Sequence, residues 1–334
     1  MNGNRLLILG GTQFIGRALV EEIIATRPDL DVTLFNRGQS NPNLFPNLKK
    51  IVGDRETSDI DKILLQDWDY IIDVNGYYPN SIEALLPKLR GKVGRYVYVS
   101  TVSVYDVDAY MGKPDALVSE DYPMLACTPE QRLGDWSTFY GEKKAECERV
   151  ILANEWLDTI ILRPSIVYGK YDYTERYYYW LQRVKTCEKI VIPNNGRERG
   201  NLTFVNDLVA LLIGALSLQS HRTIYNAVTH PINTLREKID VIASVMNKSP
   251  ELISISAEQL GESGISKQSD FPCTFGGDML IYNISKTQKD FSIEFTPYTD
   301  SVRHTIEYYN AVTKWEAGKR GLTLEAEETL LKKL

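Results

Sequence analysis

The sequence predicts an α/β fold: a Rossmann-type, doubly wound parallel sheet with a smaller C-terminal lobe. Three observations predict it. From Arg5 to Leu162, short apolar runs alternate with helical patterns, an order that gives parallel strands joined by right-handed crossovers. The first run, Leu6-Leu7-Ile8-Leu9, passes directly into Gly10-Gly11-Thr12-Gln13-Phe14-Ile15-Gly16 and then an amphipathic segment, the strand–turn–helix setting in which glycines bring a backbone close to a pyrophosphate. After Pro164 the alternation gives way to aromatic and polar stretches.

The elements follow in order. Residues 5–9 form a strand buried on both faces, and residues 15–26 a helix with Ile15, Leu19, Ile23 and Ile24 on one face. Strands are expected at 31–35, 50–52, 70–74 and 96–100, with a helix at 80–89 between the last two. A helix at 140–154 leads to a strand at 159–162. Residues 168–180 are crowded with aromatics and charges, and 194–200 read as a polar loop. A helix at 207–218, a strand at 223–227 returning to the first sheet, and a helix at 234–246 come next, and a short amphipathic helix at 324–334 ends the chain. The expected organisation is a dinucleotide-binding unit at 1–167 rejoined by 200–230, a substrate-binding lobe at 168–199 and 231–310, and a helical tail at 311–334.

Composition narrows the function. With 38 basic and 44 acidic residues the net charge is −6, which gives no electrostatic case for a nucleic acid or an anionic membrane. Cys127, Cys147, Cys187 and Cys273 form no CxxC pair and the three histidines are scattered, so neither metal nor disulfide is expected and a reducing cytoplasm fits. The first apolar run is too short for a leader, and residues 209–216 fall short of a membrane span.

The turn assigns cofactor contacts to Gly10, Thr12, Gln13, Phe14, Ile15 and Gly16, above the free N–H groups of a helix start. At the end of the second strand an acid favours NAD, whereas this chain has Asn36-Arg37. Arg37 can pair with a 2′-phosphate, so the expectation leans to NADP over NAD. Asp54 is placed to meet the adenine edge. Tyr140 and Lys144 stand four apart at a helix start and share one face. There an ammonium is expected to lower the phenol pKa and hold a ribose, making Tyr140 a usable acid–base group.

The order of glycine turn, Val99-Ser100-Thr101-Val102-Ser103-Val104-Tyr105, Tyr140-x-x-x-Lys144 and Leu162-Arg163-Pro164 resembles the extended short-chain dehydrogenase/reductases, the NAD-dependent epimerase/dehydratase family, over residues 6–300. The resemblance implies that Thr101, four residues before Tyr105, is the catalytic hydroxyl beside Tyr140 and Lys144. It places Asn75, Gly76, Ser100, Pro164, Ser165 and Val167 against the dinucleotide, and Ser103, Tyr105 and Ile166 against the substrate. Tyr179, from the tyrosine-rich stretch, and Arg197 and Arg199 join the substrate set. It also implies a homodimer through the helices at 80–89 and 140–154.

The chain departs from that pattern at Gln13, where a glycine is usual, at Ile166, where many sugar-nucleotide members carry Asn, and at Gly200, which aligns with a phosphate-gripping arginine. Val102-Ser103 replaces the Asp-Glu pair of dehydratases. The GGTxFxG turn, Asn36-Arg37-Gly38 and Asp73-Val74-Asn75-Gly76 also resemble a chloroplast RNA-binding offshoot of the family, which has lost the tyrosine that this chain keeps. The expected function is an NAD(P)-dependent oxidoreductase or epimerase acting on a hydroxyl or ketone of a sugar, sugar nucleotide or related small molecule. The alternative is a non-catalytic dinucleotide-sensing or RNA-binding protein on the same fold.

Overall fold

The computed structural model describes residues 4–110, 117–263, 265, 270–273 and 281–332. β1 (Arg5–Leu9) carries four apolar side chains with no exposure at all, as a central parallel strand must. The chain continues through α1 (Phe14–Thr26), β2 (Asp31–Asn36), β3 (Lys49–Val52), β4 (Trp68–Asp73), α2 (Pro79–Leu89) and β5 (Val93–Val99). β6 (Leu117–Val118), α3 (Pro129–Leu133), α4 (Tyr140–Ala153) and β7 (Asp158–Pro164) follow. Then come β8 (Ile166–Tyr168), α5 (Arg176–Thr186), β9 (Lys189–Pro193), β10 (Arg199–Phe204), α6 (Val205–Gly214) and β11 (Thr223–Ala227). The chain ends with β12 (His230–Thr234), α7 (Leu235–Met246), β13 (Glu251–Ile255), α8 (Ala257–Ser263), β14 (Ile281–Tyr282), α9 (Ser285–Phe291), α10 (Tyr298–Val312) and α11 (Leu324–Leu331).

Seven parallel strands form the main sheet in the order β11-β7-β5-β4-β1-β2-β3. This is the expected doubly wound α/β sheet. Alternate residues of β1 feed two cores: Leu6 and Ile8 pack toward α1 and α6, Leu7 and Leu9 toward α2 and α4. The strand order reverses between β1 and β4, which opens a crevice at their carboxyl ends. Leu9 pairs there with Phe35 and Asp73, so the glycine turn, the end of β2 and the end of β4 meet at one rim.

Arg95 ties the far part of the chain to β5. Its guanidinium bonds Asp158 and the carbonyls of Ala215, Leu218 and Ser220. These acceptors lie at and beyond the C-terminal end of α6, where helix carbonyls have no partner of their own.

The second half holds small sheets, β12-β10-β8, β13-β9 and β14-β6. The aromatic-rich stretch at 168–180 supplies the end of β8 and the start of α5, which buries Tyr177, Tyr178, Tyr179 and Trp180. The expected loop at 194–200 is a short turn at Asn194–Gly196 followed by the first residues of β10. The end of the expected last helix, Lys333 and Leu334, lies outside the described residues. Among the described residues no helix is long and apolar enough to cross a membrane.

Candidate active site

The glycine turn is set by close backbone approach. Gly10 has φ +93°, and a Cβ at Gly16 would lie 1.8 Å from the Gly10 carbonyl oxygen. Gln13 is the N-cap residue of α1 in ordinary extended backbone, and its side chain makes no capping bond. The first turn of α1 has no acid either, so its N–H groups and positive dipole end remain available for an anion. That explains how a glutamine is tolerated there: φ −141° is open to any residue. Gly16→Ala is expected to cost at least about 1–3 kcal/mol by overpacking and to weaken NADH binding about tenfold or more. Fluorescence titration of NADH and the melting temperature check it.

A cleft of about 350 Å³ opens over this turn. Gly10, Thr12, Gln13, Phe14 and Ile15 line one end, and Asn36, Arg37, Asp54 and Asn75 the adjoining walls. Arg37 is exposed, and the Asn36 side-chain NH₂ is buried without a partner among the described residues. Gly16 packs behind the turn.

The floor was not visible as a site in the sequence. Arg55 grips Asp73 with two nitrogens, at 2.6 and 2.9 Å, and reaches Asn75 Oδ1 at 2.9 Å. Tyr96 donates to the same carboxylate at 2.5 Å. Burial raises the Asp73 pKa, but the Arg55 guanidinium, the Tyr96 hydrogen bond and the Lys144 charge together hold its carboxyl below the usual range. The signal was present as a basic residue after Gly53-Asp54 and an acid ending the fourth strand, yet neither carries a pattern that names the other.

At the inner end, Tyr77 and Trp136 line the cleft and pack at 4.7 Å between ring centroids, tilted by 31°. Both flank Tyr140, at 6.4 and 6.2 Å. Lys144 points beneath them. Its ammonium donates to Gly76 O at 2.9 Å, Tyr98 Oη at 2.7 Å and Val99 O at 2.6 Å, which uses all three hydrogens. Burial brings its pKa down to about 8.

The expected depression of the Tyr140 pKa by Lys144 is not found. Burial raises it, while hydrogen bonding with Thr101 and the charge of Arg176 at the start of α5 pull the other way. The physical reason is burial of the phenol, while Lys144 directs its three hydrogens to oxygens of β5 and of the segment after β4.

Thr101 caps a one-turn helix at Val102–Val104, accepting from Ser103 N at 3.1 Å, and Ser103 is exposed beside it. Two other candidates belong to the scaffold below. Ser100 Oγ donates to Glu148, which pairs with Arg163 at 2.6 Å with both groups essentially unexposed. Tyr105 lies 4.7 Å from the Arg163 guanidinium and donates to Asn226 Oδ1 at 2.6 Å. Gly76 presents its carbonyl to Lys144 and Tyr98.

On the segment after β7, Ser165 N donates to Thr203 Oγ1 at 3.0 Å. Pro164, Ile166 and Val167 are buried. Tyr179 lies against Arg183 and Gly321, a set apart from the cleft lining. Arg197 and Arg199 are exposed, whereas the alternate residues Glu198 and Gly200 are buried.

The profile of the NAD dependent epimerase/dehydratase family matches residues 6–227. Among curated proteins, the chloroplast stem-loop binding protein of 41 kDa b of Arabidopsis thaliana is 28% identical over 238 residues, or 66% of this chain. The match spans only 58% of that relative's length. Among solved structures, a dTDP-glucose 4,6-dehydratase of Bacillus anthracis in complex with NAD has a TM-score of 0.72 at 18% identity, covering 93% of this chain and 98% of its own. A UDP-glucuronic acid 4-epimerase of Bacillus cereus in complex with NAD gives 0.69 at 17%, covering 93% and 100%. A UDP-N-acetylglucosamine 4-epimerase of Methanobrevibacter ruminantium gives 0.71 at 18%, covering 94% and 100%. These likenesses show the fold.

Proposed function

The chain belongs to the NAD dependent epimerase/dehydratase family, and we propose that it epimerises a sugar nucleotide by reversible oxidation of a secondary alcohol at Tyr140. The observation that carries this reading is the continuity of the cleft. One wall is the glycine turn, and the other end is Tyr77 and Trp136, which flank Tyr140.

The residues fit a dinucleotide. Gly10 and Gly16 leave the cradle that a Cβ would fill, the uncapped start of α1 offers donors to a pyrophosphate, and the Asn36 NH₂ and Arg37 offer donors at the ribose end. A bound nicotinamide dinucleotide supplies hydride acceptance and return. Tyr140 takes the proton of the substrate hydroxyl and later returns it, and Thr101 orients the substrate oxygen. Arg176 favours the phenolate. Lys144 holds the segment after β4 to the end of β5, which fixes the floor under Tyr77.

Val102 and Ser103 stand where a dehydratase needs an acid and a base, which supports epimerisation over water loss. Thr101, Tyr140 and Lys144 together have no use in an RNA-binding role, and the net charge of −6 opposes one.

The test is to denature the purified protein and identify any released dinucleotide. The protein is then incubated with UDP-glucose, UDP-glucuronic acid and UDP-N-acetylglucosamine, and the products are separated by nuclear magnetic resonance spectroscopy. A protein that takes up neither NAD nor NADP at millimolar concentration would falsify the reading. NAD is the dinucleotide in the similar solved structures, while Arg37 leaves this chain a site for a 2′-phosphate. Arg37→Ala is expected to weaken NADPH about 10- to 100-fold and leave NADH unchanged. An equal response of the two removes Arg37 from the ribose end.

A further inference from the structure

The segment between β8 and α5, residues 169–175, touches both halves of the chain. Its base rests on the second half. The Asp172 carboxylate accepts from Thr174 N at 2.8 Å and Thr174 Oγ1 at 2.6 Å, and Tyr309 of α10 donates to the Asp172 carbonyl at 3.3 Å. Tyr171 meets Tyr308 of the same helix edge-on, at 5.2 Å between ring centroids.

The other contacts of the segment reach α1, the helix that starts at the glycine turn. Tyr171 Oη donates to Glu21 Oε2 at 2.7 Å, and Lys170 Nζ stands 3.6 Å from the same oxygen. Arg17 Nε donates to Glu21 Oε1 at 3.1 Å, and its guanidinium lies 3.7 Å from the centre of the Tyr171 ring. Glu21 thus gathers two side chains of the segment and one of α1 around its carboxylate. A charge-assisted hydrogen bond beside a cation–π contact makes a specific attachment. Arg17, Glu21, Lys170 and Tyr171 are all half-buried, so solvent screens the attachment and it opens at modest cost. The backbone is also unusual, with Tyr171 at φ +67° and Glu175 at φ +58°. Left-handed backbone at residues other than glycine persists only where surrounding contacts hold it, and it clusters at ligand clamps.

What the attachment carries is Tyr173. Its ring meets Phe14 of the glycine turn edge-on at 6.2 Å and lines the cleft. It remains 61% exposed, although its neighbour Asp172 is buried. It also acts electrostatically on Tyr77 and Tyr140, which sets it between the turn and the inner end.

We propose that residues 169–175 form a strap that closes over the bound dinucleotide, with Tyr173 as a dinucleotide-binding residue and Glu21 as the latch that holds it in place. The strap presupposes the dinucleotide reading of the cleft. Tyr173 covers the stretch from the glycine turn toward Tyr140, where the pyrophosphate gives way to the nicotinamide ribose. An epimerase oxidises and then reduces the same substrate, so its cofactor must stay in place between the two steps. A latched strap supplies that retention as slow release.

The experiment loads the protein with NADH, chases it with excess NAD and follows NADH fluorescence by stopped flow. Mixing unloaded protein with NADH measures entry. Glu21→Gln and Tyr171→Phe, each of which breaks the latch, are expected to release NADH about tenfold faster and also to admit it faster, as an opened strap does. Combining the two should add little to either alone, because both remove the same hydrogen bond. Tyr173→Ala is expected to speed release at least as much with the latch intact. Release at the wild-type rate in all three single variants overturns the strap and leaves the dinucleotide reading standing. Slower entry with the latch broken does the same, since it marks a damaged site and not an opened one. Wild-type protein that takes up no NADH sinks both.

Discussion

Tyr140→Phe is expected to lose about 10²- to 10⁴-fold in turnover and to bind NADH as the wild type does. The phenol is an acid–base group placed beside Thr101 and the two aromatic rings at the inner end of the cleft. Removing its oxygen deletes proton transfer and keeps the ring that packs against Tyr77 and Trp136. Burial holds the Tyr140 pKa above its ordinary 10, so the reactive phenolate is a minor species near neutrality. The wild-type rate should therefore climb as pH rises, while the phenylalanine variant shows no such limb. Formation of the epimeric UDP-sugar, followed by nuclear magnetic resonance spectroscopy, measures the rate, and NADH fluorescence measures binding. Undiminished turnover in the variant removes Tyr140 from the mechanism.

The largest effect on stability is expected at Glu148. Glu148→Ala leaves Arg163 buried with its carboxylate gone, at a cost of about 3–5 kcal/mol. Arg163 keeps a bond to the Glu120 carbonyl at 2.9 Å, which cannot neutralise the charge. Ser100 also loses its acceptor, and Ser100 adjoins Thr101, so catalysis should suffer with the fold. Glu148→Met combined with Arg163→Met should recover much of the stability, because removing both charges avoids the lone one. Urea unfolding compares the three proteins. A single variant that unfolds at the wild-type midpoint contradicts the argument.

The sheet and the turn were legible because their rules are local. Four apolar residues followed by glycines specify β1 and the turn within about a dozen positions, and Tyr140 with Lys144 needs only one helical turn. What Lys144 touches was not legible, since Gly76, Tyr98 and Val99 come from two other elements. The same holds for Arg55 with Asp73, since one follows β3 and the other ends β4, strands that β2 and β1 separate in the sheet. Tyr105 and Tyr179 looked like pocket residues because tyrosines suit both pockets and cores. Only assembly showed that one binds Asn226 and the other packs on Gly321.

Arg95 has a consequence measured in time. Its carbonyl partners lie 120 to 125 residues downstream. At roughly 5–20 residues per second of synthesis, β5 leaves the ribosome about 6–25 s before the groups that complete it. During that interval the nascent strand carries a guanidinium destined for burial and still solvated. The first half of the sheet therefore waits, incomplete, for residues 215–220. A fragment ending at β7 would remain in that waiting state, with the Arg95 side chain keeping water at the edge where Ala215, Leu218 and Ser220 belong.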